Sequence, residues 1–518
     1  MDAKRVRPLK NMKLRNLLGW SSALCLSAIV AQAQETTVTN ITDTFERKLK
    51  EMQDRFDRQQ REMKEQFDKK LQEQRQEIDA LKKQLGQSPS QPPTNANASA
   101  EQKKLEKELA AELGTTNQPA QTAPPTTSTA ASSWTPSQPI TLARAGSAYM
   151  NISFDTLMDL GGSTASDPSR FLELGDHDPI KRGFSLRNAE IAVDGAVDPY
   201  LKGFGNIVLK LDKDNETEIE LEESYLQTTA LPGNLQLKGG QFFAAFGRQN
   251  AQHPHQWAFV DDPIILTRAF GPEGLRNIGG QLSWLLPTPF YTEAFLGVLD
   301  GQGGTAFSFR NPGDDDMGTN RFHGRATLDR HLRGPGDLIF VPRLASSFDV
   351  SDSQTLVLGV SGAFGPNDTG SDRRTQIYGA DVYWKWKPAN AHAGFPFVSW
   401  QTEGLYEIYD AGADPTAGLA SETLRDWGFY SQVLWGFHNR WVAGLRGEYA
   451  NGNDGAFDHE DVFRGERTRI SPALTFYPSE FSKIRLQYNY DHGELFGTEH
   501  SIWLQVEFLL GAHGAHKF

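Results

Sequence analysis

The stretch SIWLQVEFLL, residues 501–510, decides the fold. Its even positions put Ile502, Leu504, Val506, Phe508 and Leu510 on one side, and Ser501, Gln505 and Glu507 stand on the other. A period of two belongs to a strand with one apolar and one polar face. The same reading holds upstream. In 481–490, Ile484, Leu486, Tyr488 and Tyr490 oppose Lys483, Arg485, Gln487 and Asn489. In 467–477, Ile470, Leu474 and Phe476 oppose Arg469, Ser471 and Thr475, and in 218–226, Ile219, Leu221 and Tyr225 oppose Glu218, Glu220 and Glu222. Further strand-like runs fall near 147–160, 184–196, 200–212, 234–243, 277–286, 290–299, 320–329, 338–349, 354–364, 375–387, 397–409, 425–436 and 440–450.

The mean hydropathy of the 518 residues is -0.51. This excludes a helical transporter, which needs several runs of about 20 apolar residues. It leaves a membrane barrel open, because a barrel strand gives only every second residue to lipid. A soluble sandwich or propeller also alternates. It rarely sustains aromatics at strand ends such as Tyr383-Trp384-Lys385-Trp386, Trp435 to Trp441 and Tyr488 to Tyr490. Two aromatic girdles explain them, and no blade repeat is present. The sequence therefore predicts an all-β transmembrane barrel over 140–518, with 16 strands, or 18 as the alternative, since closure favours an even number. Phe518 suits the terminal aromatic of such barrels, although the tail before it is polar.

The N-terminal quarter has a different character. Lys4, Arg5, Arg7, Lys10, Lys13 and Arg15 precede a short apolar run and Ala31-Gln32-Ala33, which reads as a signal peptide over 1–33. The one cysteine, Cys25, lies inside it, so the mature chain is expected to carry no thiol or disulfide. Residues 35–86 carry an eleven-residue repeat: Phe45, Phe56, Phe67 and Ile78, each followed by an acid. Eleven residues span three helical turns, so the stripe predicts a periplasmic coiled coil. Bulky Phe in the seam favours three strands or more. Residues 87–139 are a Pro/Ser/Thr-rich linker interrupted by a short amphipathic helix at 101–113.

The stretch LDKDNETEIELEESYLQTTALPGNLQLKGGQFFAAFGRQN (211–250) resembles the phosphate-selective porin O/P family. The resemblance rests on Glu223-Ser224-Tyr225-Leu226, Gly240-Gln241-Phe242 and Phe246-Gly247-Arg248. The following segment, 253–287, is similar to the place where such porins carry a long loop. The resemblance implies a trimeric outer-membrane channel, with lipid, small ions or solutes and copies of itself as partners, and no cofactor or nucleic acid. The family's phosphate label is not carried over. Residues 1–139 hold about +4, which leaves about -17 on 140–518, whereas phosphate selection wants a basic lumen. Asp314-Asp315-Asp316 and Asp212-Lys213-Asp214 belong to outer loops in this reading.

Alternation also predicts the lumen. Glu218, Glu220 and Glu222 face it early in the barrel, and Arg446, Arg467, Arg469, Lys483 and Arg485 face it late. Opposed charges on two arcs would set a transverse field across the pore; the other reading is that they pair with loops inside it. His253, His255, His513 and His516 form two short pairs whose spacing suits zinc or copper, or else are ordinary surface histidines. There is no GxSxG or HExxH, and nothing places a serine beside His323 or His331, so no enzyme is expected. The function expected is passive diffusion through a charged, loop-narrowed lumen. The alternatives are a barrel linked to metal uptake, and a coiled-coil tether between outer membrane and cell wall.

Overall fold

In a computed structural model of the chain, residues 139–229, 231–311, 321–328, 331–457 and 461–511 are described. The expected signal peptide, coiled coil and linker before residue 139, the Asp314-Asp315-Asp316 run, His513, His516 and Phe518 lie outside them.

The strands are β1 (Ile140–Ala145), β2 (Ala148–Ser163), β3 (Gly183–Ala196), β4 (Leu201–Leu211), β5 (Thr217–Thr228), β6 (Leu235–Phe243), β7 (Arg276–Leu285) and β8 (Tyr291–Leu299). After two short strands, β9 (Arg321–Phe322) and β10 (Arg325–Ala326), come β11 (Ile339–Ser351), β12 (Gln354–Pro366), β13 (Arg374–Trp386) and β14 (Phe397–Ala411). The last are β15 (Glu422–His438), β16 (Trp441–Gly452), β17 (Arg467–Ser479), β18 (Ser482–Gly493) and β19 (Gly497–Leu510). β2–β8 and β11–β19 make a closed antiparallel barrel of 16 strands: consecutive strands pair, β8 pairs with β11, and β19 closes on β2. β1 pairs with the start of β2, where β19 stops. The strand read at 320–329 is corrected. Its described residues, 321–328, hold only the β9–β10 hairpin, which pairs with itself and not with the barrel.

Closure puts the alternating faces in two solvents. Ile502 and Phe508 are each 51% exposed on the outside, while Gln505 between them is 3% exposed. Ile484, Leu486, Ile470 and Leu474 face out in the same way, and Lys483, Arg485, Arg469 and Ser471 face in. The two ends differ. Connections 352–353, 439–440 and 480–481 are two-residue turns, whereas 164–182, 244–275 and 300–338 at the other end are long. Such barrels place short turns on the periplasmic side and long loops outside.

Among the barrel strands, two bulges away from the turns break the alternation. Between β4 and β5 the register shifts at Asn206/Ile207, which leaves Glu222 as an extra residue, so that both Glu222 and Glu223 are buried. A bulge reverses the facing of everything beyond it. Tyr225 is therefore half-buried, against the inner core, and does not share the outer face of Ile219 and Leu221 as strict alternation requires. A second register shift, opposite Leu157/Met158, buries Arg187 and Asn188 in succession.

The connection 244–275 turns into the barrel. Its base is closed by Asn250, whose Nδ2 donates to the carbonyls of Ala244 (2.9 Å) and Leu275 (3.1 Å) while its Oδ1 accepts from Leu275 N (2.8 Å). Within it a short helix, α1 (Ile264–Phe270), is buried along its whole length.

Candidate functional site

The inner segment 244–275 meets three chemically different parts of the wall. The first is apolar. Phe246, Ile264, Ile265, Leu266, Ala269 and Phe270 form one core with inward residues of β8 and β11–β16, among them Leu299, Val341, Ile377, Leu405 and Ala450. Small wall residues make the room: a Cβ on Gly379 would lie 2.6 Å from Phe246, and one on Gly428 would lie 3.0 Å from Ile265. Polar side chains fix the depth. Glu403 on β14 accepts from the backbone N–H groups of Arg248 (2.9 Å) and Gln249 (2.8 Å), and Glu448 on β16 accepts from that of Ile264 (2.7 Å).

The second part is basic, on β16–β18. Asp261 is fully buried among it. It pairs with Arg446 and with Arg469 (2.7 Å), and accepts from Gln487 (2.9 Å) and Asn489 (2.6 Å). Arg469 also reaches Asp491 (2.9 Å) and Glu173 (3.1 Å) and donates to the carbonyl of Leu172 (2.8 Å). Arg467 pairs with Asp491 (2.8 Å) and donates to the carbonyls of Phe171 and Leu172. Arg485 donates to the carbonyls of Trp257 (2.7 Å) and Phe259 (2.9 Å), and Lys483 to that of His255 (2.7 Å). Burial alone would raise the Asp261 carboxyl; Arg446 and Arg469 outweigh it and hold it well below the usual carboxylate range.

The third part is acidic, on β2, β3 and β5. His253 Nδ1 lies 2.8 Å from Glu222 and its Nε2 lies 3.1 Å from Glu223, the two carboxylates that the bulge brings inward. His255 Nδ1 lies 3.0 Å from Asp155 and 3.3 Å from Glu190. The two rings stack at 5.7 Å. Burial disfavours the imidazolium at both, yet Glu222 at His253 and Glu190 at His255 outweigh it. Both pKa values stand above the ordinary histidine range, that of His255 at about 10.

The eight charges read from alternation divide accordingly. Arg446, Arg467, Arg469, Lys483 and Arg485 all point inward and bond to loop segments folded into the barrel. Glu222 is at the histidines, and Glu220 pairs with Lys210 (3.1 Å) and Arg276. Glu218 is half-exposed, 3.8 Å from Arg187. The sequence placed His253 and His255 in a loop; the structure buries them in the lumen. The sequence reading missed Asp155, Glu190, Glu223 and Asp261. Asp155 and Glu190 are single acids with no local mark, Glu223 falls on the outward parity of a strand read as strictly alternating, and Asp261 sits in a non-repeating loop.

No family model matches the chain. Among solved structures, the barrel is similar to the outer membrane channel DcaP of Acinetobacter baumannii, at 10% identity and a TM-score of 0.47 over 70% of this chain and 97% of that one. It is also similar to OmpF of Salmonella typhi (9%, TM-score 0.41, 70% and 98%) and OprB of Pseudomonas putida (11%, TM-score 0.41, 70% and 94%). An uncharacterized protein of Aquifex aeolicus is 31% identical over 356 residues, 65% of this chain and 71% of its own length. By that extent and identity, the chain belongs to the same family as the Aquifex aeolicus protein.

Proposed function

We propose that the chain is an outer-membrane porin through which small ions and solutes diffuse down their gradients. The observation that carries this reading is the closed barrel with an apolar outside, a polar inside and unequal ends. A basic n-region with a short apolar run supports export, and the eleven-residue repeat over 35–86 supports a periplasmic trimeric coiled coil. The motif at 211–250 supports a place near the O/P porins, and the acidic balance argues against their phosphate selectivity. In this reading the inner segment sets the width of the lumen, and the acidic and basic arcs that it bridges sort the ions. No covalent chemistry is involved. Purified full-length protein in a planar bilayer should give discrete, ohmic conductance steps that scale with salt, and a reversal potential in a salt gradient reports the preferred sign. A correctly folded protein that inserts and gives no steps overturns the reading.

A further inference from the structure

The acidic arc and the two histidines make more than an ion-pair cluster. Asp155, Glu190 and His255 each offer one donor atom within 4.8 Å of the others, and so do Glu190, Glu222 and His253. Glu190 belongs to both trios and divides its oxygens between them: Oε1 lies 3.7 Å from His253 Nδ1, and Oε2 lies 3.3 Å from His255 Nδ1. The separations bracket those of a coordination shell, and the two shortest would open by a few tenths of an ångström around an ion. Ligand atoms about 2.0–2.2 Å from a tetrahedral ion stand roughly 3.3–3.6 Å apart. The four imidazole-to-carboxylate separations here are 2.8, 3.0, 3.3 and 3.7 Å.

Three further features point to a cation. Glu190 is 1% exposed, and its Oε1, turned toward His253, has no hydrogen-bond partner among the described residues. Outer groups orient the remaining ligands: Asn188 Nδ2 donates to Asp155 (2.8 Å), Asn206 Nδ2 donates to Glu222, and Glu223 lies 3.1 Å from the far nitrogen of His253. A carboxylate behind a ligating imidazole fixes its tautomer and raises its basicity. The donor set is imidazole and carboxylate, with no thiolate in the cluster, which suits a borderline divalent ion of the zinc or cobalt class over calcium or magnesium.

We infer that Asp155, Glu190, Glu222, His253 and His255 form a resident site for divalent transition-metal ions of the zinc class, two half-sites bridged by Glu190. The ions tie the inner segment, through its two histidines, to β2, β3 and β5. The inference is independent of whether the barrel conducts, since it is read by binding and not by current.

The test uses full-length protein in detergent, stripped with a chelator and titrated with cobalt(II), then with zinc(II) in competition. The wild type should take up close to two ions per chain and develop the visible d–d bands of nitrogen- and oxygen-ligated cobalt. His253→Gln/His255→Gln and the isosteric Glu190→Gln should each weaken binding by about 100-fold or more, beyond the roughly 10–100-fold typical of a lost outer-shell partner. His513→Gln/His516→Gln should bind as the wild type does, which separates this site from the C-terminal pair. Heat-modifiable gel mobility reports whether each variant is folded, and the wild-type titration stands without any of them. Wild type that takes up no stoichiometric cobalt or zinc overturns the inference, leaving imidazolium–carboxylate pairs as the occupant. So does a folded His253→Gln/His255→Gln variant that binds as tightly as the wild type.

Discussion

Asp261 and His253 show how single residues hold the inner segment. The segment carries a carboxylate where the wall is basic and imidazoles where the wall is acidic. Buried charges persist when they are paired and hydrogen-bonded, and Asp261 has four such partners. Arg469 is the most connected cation in this arrangement, because it joins Asp261, Asp491 and Glu173. Arg469→Ala strips a cation from three buried carboxylates, of which Asp261 keeps Arg446 and Asp491 keeps Arg467, and should cost about 3–5 kcal/mol. The measurement is the urea midpoint of the detergent-folded protein, together with protease cleavage within 244–275, which should rise. An unchanged midpoint and cleavage pattern would show that Arg469 does not hold the segment. Arg469 itself was legible in the sequence, since alternation alone assigns it to the lumen. Its partner was not: Asp261 lies 208 residues away, and no periodicity links a loop acid to a strand two hundred positions on.

Strands were the most legible elements, because each half-buried strand writes its period of two into the chain. The run at 320–329 misled for the same reason. A loop can alternate by chance, and only pairing tests whether it is a strand. Bulges were not legible, since one extra residue leaves no compositional mark. The bulge at Glu222 is nevertheless what brings two successive carboxylates to His253. Just beyond it, Gly240 on β6 pairs with Tyr225 on β5, at φ 135°. A Cβ there would meet Ser224 O and lie 2.7 Å from Tyr225 Cα. Gly240→Ala should therefore cost at least about 1–3 kcal/mol from backbone strain. It should lower the temperature at which the folded band converts to the unfolded one on a heat-modifiability gel. Wild-type behaviour would mean that the β5–β6 pairing tolerates a side chain and that the glycine is incidental.

For the molecule as a whole, the low mean hydropathy averages a strongly polar sequence before residue 140 with a barrel whose apolar surface is spread over alternate residues around 16 strands. A barrel of 16 strands is wide enough to leave an aqueous channel. Its interior is shaped by 244–275, which packs on the apolar arc through α1 and reaches the acidic arc with its histidines and the basic arc with Asp261. In the proposed porin, this segment controls flow through the barrel. Its ends already meet at Asn250 and Leu275, so residues 252–272 can be replaced by a short Gly-Ser linker without opening the wall. Single-channel conductance of this variant against the wild type, in the same bilayer and salt, is the direct test. A several-fold rise is expected in the variant. Equal conductance in a correctly folded variant would contradict it.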